Sequence, residues 1–323
     1  MKPLNIILCL EGACNLRCQS CNIWHNNVQK SILPLPDRYL FIRNIKKYFP
    51  HLPITLFAGE PLMHPHTIPL LVEASKINLD IFITTNGTLL TDTMVRKICL
   101  PSLAGVIISI DGPKNIHDKL RGVVGTYDKA VKGILCLRKY CASNMKIVVE
   151  TLLTSENTIC LQDFMKIILK YPIDGILFQA ITSKYGFGSP FFDKNWYRCK
   201  DTLFPKYDDI RRVIDKIIFF KREGYPILND IDDLLNLKKY FYNPITYNSC
   251  QKCMSYQNLL ITTDGKLATC PQANFVGDAY KDNYAKAWTF SYVMNKFLHS
   301  YKCKLSNKIL LCNSKNLARM MDI

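Results

Sequence analysis

Three cysteines, Cys14, Cys18 and Cys21, lie within eight residues near the start of the chain. They follow an apolar run at 4–10 whose length and β-branched content predict a strand, so they occupy the loop that leaves it. A loop can turn three thiolates toward one inorganic centre, whereas a strand would point neighbouring side chains to opposite faces. The spacing therefore predicts a metal-binding loop.

The number of nearby ligands indicates which metal this loop would bind. Structural zinc takes four ligands, usually from two Cys-x-x-Cys pairs, and here the nearest substitute for a fourth cysteine is His25. An iron–sulfur cubane is held by cysteine thiolates, and three of them leave one iron with an open position. An open position is typical of reactive metal centres. We therefore favour an open cluster over zinc or a chance grouping.

Loops with distinctive residues also follow the next three predicted strands. Gly59 would let backbone carbonyls approach a ligand amine closely, and Glu60 could hold the ammonium group. Each turn is ordinary by itself, but their common place after successive strands indicates a site. The loop residues concerned are Ala58, Gly59, Glu60, Asn86, Ser109 and Asp111.

Strand-like and helix-like segments alternate through the first 180 residues, and six β/α units predict parallel strands joined by right-handed crossovers. Distinctive loops after four consecutive strands favour a barrel over an open doubly wound sheet, because in a barrel they converge on one mouth. Six units are too few for a closed eight-fold barrel, so the predicted fold is α/β, a partial (β/α)6 TIM-type barrel. The predicted strands are 4–10, 54–57, 81–84, 106–110, 147–152 and 176–178, and the predicted helices are 38–49, 68–77, 94–98, 127–140 and 161–169.

Two further segments follow the predicted core at 1–180. Residues 181–247 contain two helical stretches, 208–222 and 230–242, and are interpreted as a connection that covers the barrel mouth or carries substrate contacts. Residues 248–323 form a small cysteine-rich domain. In this domain Asp264-Gly265 between two short apolar runs predicts a β-hairpin that would carry Cys270 back toward Cys253.

Composition limits the classes to which the protein can belong. The 323 residues are 48% hydrophobic and contain no apolar run of the roughly 18 residues that a membrane span needs. Fourteen cysteines and no signal-peptide pattern favour the cytoplasm and no membrane partner. The lysines behind the net charge of +16 are scattered, which fits solvated helix faces better than a nucleic-acid partner. We expect these cysteines to be packing residues: Cys9, Cys99, Cys136, Cys141, Cys160 and Cys199.

The pattern Cys-x3-Cys-x2-Cys after a first strand resembles the signature of the radical S-adenosylmethionine (SAM) enzymes. The resemblance implies a [4Fe–4S] cluster on these cysteines, with SAM chelating the fourth iron through its amino and carboxylate groups. The turn at 58–61 is similar to the family's Gly-Gly-Glu-Pro motif, which binds the SAM amino group, with Ala58 in place of the first glycine. Ser20 departs from the pattern, because the family usually has an aromatic residue there, near the adenine.

The same resemblance gives roles to the later loops. Asn86 lies in a segment similar to the family's Thr-Asn-Gly turn. Ser109 and Asp111 are implied to lie near the ribose and carboxylate of SAM, and Arg121 could pair with that carboxylate as a two-pronged donor. Gln179, like Glu150, is placed at the mouth, where a contact with adenosine or substrate and a polar side chain satisfied by backbone are equally good interpretations.

The cysteine-rich segment resembles the opening of the SPASM or twitch extension, which holds auxiliary [4Fe–4S] clusters. The full extension closes with a Cys-x2-Cys-x5-Cys-x3-Cys run, whereas this chain has only Cys303 and Cys312 there. Five thiols from residue 250 onward suffice for one cluster and not for two. A zinc knuckle stays open as the alternative. The ligands assigned to this site are Cys250, Cys253, Cys270 and Cys312.

The resemblance implies an oxidoreductase-type enzyme that reductively cleaves SAM to a 5′-deoxyadenosyl radical, which then abstracts hydrogen from a substrate. We favour peptide modification, since enzymes with such extensions often act on peptides. The alternative is radical oxidation or epimerisation of a sugar or other small metabolite. A reducing partner such as flavodoxin or ferredoxin is expected. From another class, a non-catalytic iron–sulfur electron carrier or an RNA-binding protein stays open, and no catalytic acid or base is identified.

Overall fold

Strands and helices alternate along the chain as predicted. The structure is a computed structural model that describes residues 5–10, 13–21, 23–25, 33–181, 196–198, 202–244, 258–263, 265–268 and 277–278. The strands are β1 Asn5–Cys9, β2 Ile54–Phe57, β3 Ile81–Thr85, β4 Leu103–Ser109, β5 Lys146–Leu153, β6 Gly175–Ala180, β7 Asn258–Ile261, β8 Lys266–Ala268 and β9 Gly277–Asp278. The helices are α1 Leu35–Tyr48, α2 Thr67–Lys76, α3 Asp92–Ile98, α4 Lys114–Arg121, α5 Thr126–Tyr140, α6 Leu161–Ile168, α7 Tyr207–Arg222 and α8 Ile231–Tyr242.

One sheet has the strand order β6-β5-β4-β3-β2-β1-β7-β8-β9. Strands β1 to β7 run parallel to one another, and the described strands do not close into a ring. This confirms the α/β class and the partial barrel. The predicted hairpin is also present, since Leu260 pairs with Ala268 in the antiparallel register of β7 and β8. Its first strand lies directly beside β1 and so continues the sheet of the barrel.

The two faces of the sheet bury different sets of side chains. Alternate residues such as Ile6 and Leu8 join the large core shared with the helices. The opposite face contains a separate buried cluster, Ile107, Val148, Leu177 and Leu228. This second cluster fills the inside of the barrel beneath β4, β5 and β6. It forms the apolar floor beneath the polar residues of those strands.

Helix α4 was not predicted, although it contributes directly to the site. It has only eight residues, lies between Pro113 and Gly122, and buries His117, Asp118 and Leu120. Only two of its eight residues, Ile116 and Leu120, are apolar, which is too few to distinguish a short helix from a loop by sequence pattern. Gly122 ends the helix in the left-handed conformation, with φ of +69°.

Residues 202–244 pack against the wall of the barrel. Helix α7 places Ile210, Ile214 and Ile217 in the main core. After it, Leu228 N donates to Ile176 O at 2.9 Å, and Asn229 exchanges hydrogen bonds with the backbone of Phe178. The chain therefore covers the free edge of β6.

Two cysteines expected to be packing residues are joined in the structure. Cys99 and Cys141 form a disulfide, with their Cα atoms 5.0 Å apart. The reason is that each residue follows the last turn of its helix, α3 or α5, and these helices lie side by side. Cys9 and Cys136 are buried free thiols, as expected, whereas Cys160 is free and partly exposed. No described helix is both long and apolar enough to cross a lipid bilayer.

Candidate functional site

The loop that carries the three cysteines is fastened to the ends of neighbouring elements by its backbone. Glu60 N, in the loop after β2, donates to Ala13 O at 2.8 Å. Arg17 N donates to Arg121 O at 3.1 Å, and Gln19 N donates to Leu120 O at 2.9 Å. The cysteine loop is therefore held between the β2 loop and the C-terminal end of α4, at the carboxyl end of the barrel strands.

Each of the three sulfurs accepts a hydrogen bond from an N–H group. Cys14 Sγ accepts from Leu16 N at 3.5 Å, and Cys21 Sγ accepts from Ile23 N at 3.4 Å. Cys18 Sγ accepts from the guanidinium of Arg121 at 3.9 Å. Such donors stabilise thiolates and are what surrounds cluster sulfurs in iron–sulfur proteins. The donor set therefore fits a [4Fe–4S] cluster held by Cys14, Cys18 and Cys21.

Burial makes two of these thiols, Cys14 and Cys21, weaker acids. Burial raises the pKa of Cys14, and it raises the pKa of Cys21 to about 11. Metal binding would therefore have to displace these protons. No group of three or more His, Cys, Asp or Glu side chains among the described residues is arranged to hold a single metal ion. A four-iron cluster does not require that arrangement, since each cysteine binds a different iron.

Glu60 lies in the predicted place, but its carboxylate is turned toward the protein. Its side chain is buried and accepts hydrogen bonds from Leu62 N at 3.1 Å, Thr85 Oγ1 at 2.7 Å and Asn86 N at 2.8 Å. Burial raises the pKa of Glu60, and these three hydrogen bonds oppose that rise. The residue thus ties the β2 loop to the β3 loop, and its carboxylate is engaged within the protein.

Asn86 also forms hydrogen bonds to the cysteine loop. Its Nδ2 donates to Asn15 Oδ1 at 2.9 Å and reaches Cys14 Sγ at 3.9 Å. Thr88 Oγ1 donates to Asn86 Oδ1 at 2.6 Å and accepts from Asn15 Nδ2 at 2.8 Å. The two asparagines and the threonine form a closed ring of hydrogen bonds. This ring fixes the part of the loop that contains Cys14.

Asp111 and Arg121 form an ion pair, with Arg121 Nε 2.8 Å from Asp111 Oδ2. Asp111 Oδ1 also accepts from Leu152 N at 3.1 Å, and Asp111 N donates to His117 Nδ1 at 3.1 Å. Burial lowers the pKa of His117 to about 4, with Arg121 acting in the same direction, so its imidazole is neutral and accepts this bond. The pair is anchored on three elements: β4, α4 and β5.

Three polar residues line the inner wall above the apolar floor. Ser109 is paired in register with Glu150, and Gln179 lies two residues after Leu177 on β6. All three are partly exposed, and Gln179 Nε2 donates to Glu150 Oε1. Burial raises the pKa of Glu150 to about 7, partly opposed by Arg121. Of the predicted pocket residues, Ser109 and Gln179 are partly exposed side chains on this inner wall.

Ala58 and Gly59 both have left-handed backbone conformations, with φ of +78° and +59°. Ala58 is buried at 5% exposure, directly after β2. Only glycine adopts this conformation without steric cost, so Ala58 is a strained position in the turn. The turn itself therefore has the shape that a Gly-Gly pair would give.

The sequence did not identify several residues that hold the cysteine loop. The Arg38 guanidinium, fully buried on α1, donates to Leu10 O at 2.9 Å and to Leu33 O at 3.1 Å, and so fastens both ends of the segment containing the cysteines. Trp24 Nε1 donates to Cys18 O at 3.2 Å. Neither residue belongs to a motif, so only the fold could reveal it. The second proposed metal site lies outside the described residues, because these do not include Cys250, Cys253, Cys270, Cys303 or Cys312.

Comparison with known proteins gives matches over this same region. Residues 11–168 match the family model described as the Radical SAM superfamily. A cofactor-modifying protein for tungsten-containing aldehyde ferredoxin oxidoreductase from Pyrococcus furiosus is 28% identical over 52% of this chain and 49% of its own length. The sporulation killing factor maturation protein SkfB of Bacillus subtilis is 29% identical over 48% of this chain and 37% of its own length. The chain thus spans about half or less of these two curated relatives.

Solved structures show the same fold. The crystal structure of SuiB from Streptococcus suis bound to its precursor peptide SuiA superposes with a TM-score of 0.66. It covers 89% of this chain and 64% of that one, at 14% sequence identity. At that identity the likeness concerns the fold alone.

Proposed function

The chain belongs to the radical SAM superfamily, and from this premise we propose that it cleaves SAM reductively to modify a peptide. Membership in the family implies a [4Fe–4S] cluster and SAM as cofactors. The observation that carries the proposal is the arrangement of three cysteine sulfurs, each with an N–H donor, on one fastened loop at the barrel mouth. Three ligands leave one iron available to SAM.

In this proposal the described residues of the site have different roles. Cys14, Cys18 and Cys21 would hold the cluster, which would supply the electron for the reductive cleavage of SAM. Glu60 and Asn86 keep the loops after β2 and β3 in contact with the cysteine loop. Ser109 and Gln179 offer polar contacts along the inner wall, and the apolar floor beneath them excludes water from the barrel interior.

SAM cleavage tests this proposal directly. Anaerobically reconstituted protein with a strong reductant should form 5′-deoxyadenosine, and Cys18→Ala should form none because the cluster loses a ligand. Cys136→Ala is the matched control, since Cys136 is a free cysteine outside the loop, on α5. The proposal fails if Cys18→Ala keeps its activity, or if the cluster-loaded parent protein forms no 5′-deoxyadenosine.

Peptide modification is the favoured substrate class because two relatives by sequence or fold act in that way. SkfB is named as a maturation protein of a killing factor, and SuiB was crystallised with a precursor peptide. A peptide encoded next to this gene should gain or lose a defined mass when incubated with the enzyme, SAM and reductant. A reducing partner such as flavodoxin or ferredoxin would replace the chemical reductant in the cell.

A small metabolite is the second candidate, and one comparison favours it. The relative from Pyrococcus furiosus is named for modifying a cofactor. Under this alternative, 5′-deoxyadenosine formation would be stimulated by a sugar or cofactor fraction and not by any peptide. Formation of 5′-deoxyadenosine in either case would exclude a non-catalytic electron carrier or RNA-binding protein.

A further inference from the structure

We infer that Arg121 acts on the cluster ligand Cys18 as a fixed positive charge that raises the reduction potential of the cluster. The inference rests on the proposed function only to the extent that the cysteine loop binds a cluster. It assigns Arg121 a role different from the predicted clamp on the SAM carboxylate. Arg121 is then a positioning residue of the metal centre.

The contacts of the guanidinium support this assignment. Nη1 lies 3.9 Å from Cys18 Sγ, within reach of an N–H···S hydrogen bond, and Nε pairs with Asp111 Oδ2 at 2.8 Å. The side chains of Arg121 and Asp111 are 15% and 6% exposed. The guanidinium is therefore held between a carboxylate and a thiolate in a position that water scarcely screens.

The backbone around Arg121 fixes this geometry independently of the side chain. Arg121 O and Leu120 O accept hydrogen bonds from Arg17 N and Gln19 N, on both sides of Cys18. A Cβ added at Gly122 would lie 2.4 Å from Arg17 O, so the helix end and the loop are in direct contact. The backbone of Arg121 is thus held beside the loop that carries Cys18, and the ion pair with Asp111 holds the guanidinium.

The effect on potential follows from electrostatics. Reduction adds one negative charge to the cluster, so a nearby cation stabilises the reduced form and raises the potential. Among the described residues, the carboxylates of Asp111, Glu60 and Glu150 also face Arg121, while His117 is neutral. Those carboxylates favour the oxidised form. Arg121 is the cation in direct contact with a described cysteine sulfur and opposes them.

The test is a redox titration of the reconstituted cluster, followed by electron paramagnetic resonance in the absence of SAM. Arg121→Gln should shift the midpoint potential to more negative values, and Asp111→Asn should shift it to more positive values. Arg121→Lys should lie closer to the parent than Arg121→Gln. Arg17→Gln is the control, because Arg17 is a cation of the same loop whose side chain is exposed; it should produce the smaller shift.

The midpoint potentials of Arg121→Gln and Asp111→Asn should shift in opposite directions, and this distinguishes a charge effect from damage to the site. A merely structural role would move both variants in the same direction, and that result would overturn the inference. An unchanged potential in Arg121→Gln, together with weakened SAM binding, would overturn the inference and support the pairing of Arg121 with the SAM carboxylate. If Arg121→Gln binds no cluster, Arg121→Lys decides, because it moves the charge without removing it: a midpoint below that of the parent supports the inference, and an unchanged midpoint overturns it. Failure of the parent protein to assemble any cluster would instead refute the proposed function.

Discussion

At the scale of single residues, contacts between loops determine which way the side chains of the candidate site point. Cysteines and turn residues after successive strands had to converge, because parallel strands end at the same rim. The carboxylate of Glu60 turns inward to the β3 loop because it accepts hydrogen bonds from Thr85 and Asn86, which are distant in sequence. Contacts of this kind depend on packing between loops and leave no local pattern.

Ala58 provides a test at this scale. Ala58→Gly should raise the free energy of unfolding by about 0.5–1 kcal/mol, because glycine adopts a φ of +78° without the steric cost that alanine has. Urea denaturation of the anaerobic protein measures the change. Ala130→Gly, inside α5, is the control and should lower stability by about 1 kcal/mol. Equal losses in both variants would contradict the strained turn.

The raised pKa of Glu150 predicts that the stability of the protein depends on pH. Its pKa of about 7 in the folded protein lies above the ordinary 4.5, so the folded protein prefers the protonated form. The free energy of unfolding is therefore not reduced by Glu150 below pH 4.5, where the carboxyl is protonated in both states. It falls as the pH rises to about 7, because the carboxyl ionises more readily in the unfolded chain. Glu150→Gln stays neutral, so its stability relative to the parent should rise by up to about 3 kcal/mol between pH 4.5 and pH 8.

Urea denaturation at both pH values gives this difference, and other titrating groups cancel because both proteins share them. The same substitution at the exposed residue Glu223 is the control. A difference between Glu150→Gln and the parent that does not change with pH would show that the carboxyl is not perturbed on the inner wall.

At the scale of elements, the long strands and helices were predictable because their apolar periods repeat. Helix α5, for example, was expected at 127–140 and spans Thr126–Tyr140. Helix α4 was missed because only two of its eight residues, Ile116 and Leu120, are apolar. Yet α4 carries the backbone carbonyls that hold the cysteine loop. The element with the weakest sequence signal is therefore one of the most important for the site.

The contact between α4 and the cysteine loop can be tested with two glycines. Gly122 and Gly125 have φ of +69° and +82°, so alanine is strained at either position. At Gly122 the new Cβ would also meet Arg17 O at 2.4 Å, whereas at Gly125 nothing lies within 4 Å. Gly122→Ala should therefore lose several-fold more iron per chain after anaerobic reconstitution than Gly125→Ala.

Thermal unfolding of the two apo variants provides the control for backbone strain. The strain common to both should lower their midpoints by a similar amount, and the loop clash adds to the loss in Gly122→Ala. Equal iron content in the two variants would mean that α4 does not position the loop.

At the scale of the whole molecule, the alternation of strands and helices predicted the partial barrel correctly, because six β/α units permit few topologies. The position of β7 was not predictable. The hairpin strand β7 pairs with β1, next to the cysteine loop. A pairing between residues about 250 apart depends on the edge that the barrel leaves open, and that edge is a property of the complete fold.

The number of clusters is the prediction that belongs to this scale. The thiols after residue 250 suffice for one auxiliary cluster, so the reconstituted chain should contain about eight irons. Cys18→Ala and Cys270→Ala should each retain about four. Iron and sulfide analysis measures these values. About four irons in the parent together with one zinc would place a zinc knuckle, and not a cluster, in the C-terminal segment.

The central claim is that the iron left open by Cys14, Cys18 and Cys21 is the one to which SAM binds. Electron–nuclear double resonance on the reduced cluster, with SAM labelled by ¹⁵N in its amino group and ¹⁷O in its carboxylate, tests this most directly. We predict magnetic coupling from both labels to the cluster, and its loss in Cys18→Ala. Bound SAM without either coupling, or a fourth protein ligand at that iron, would contradict the account.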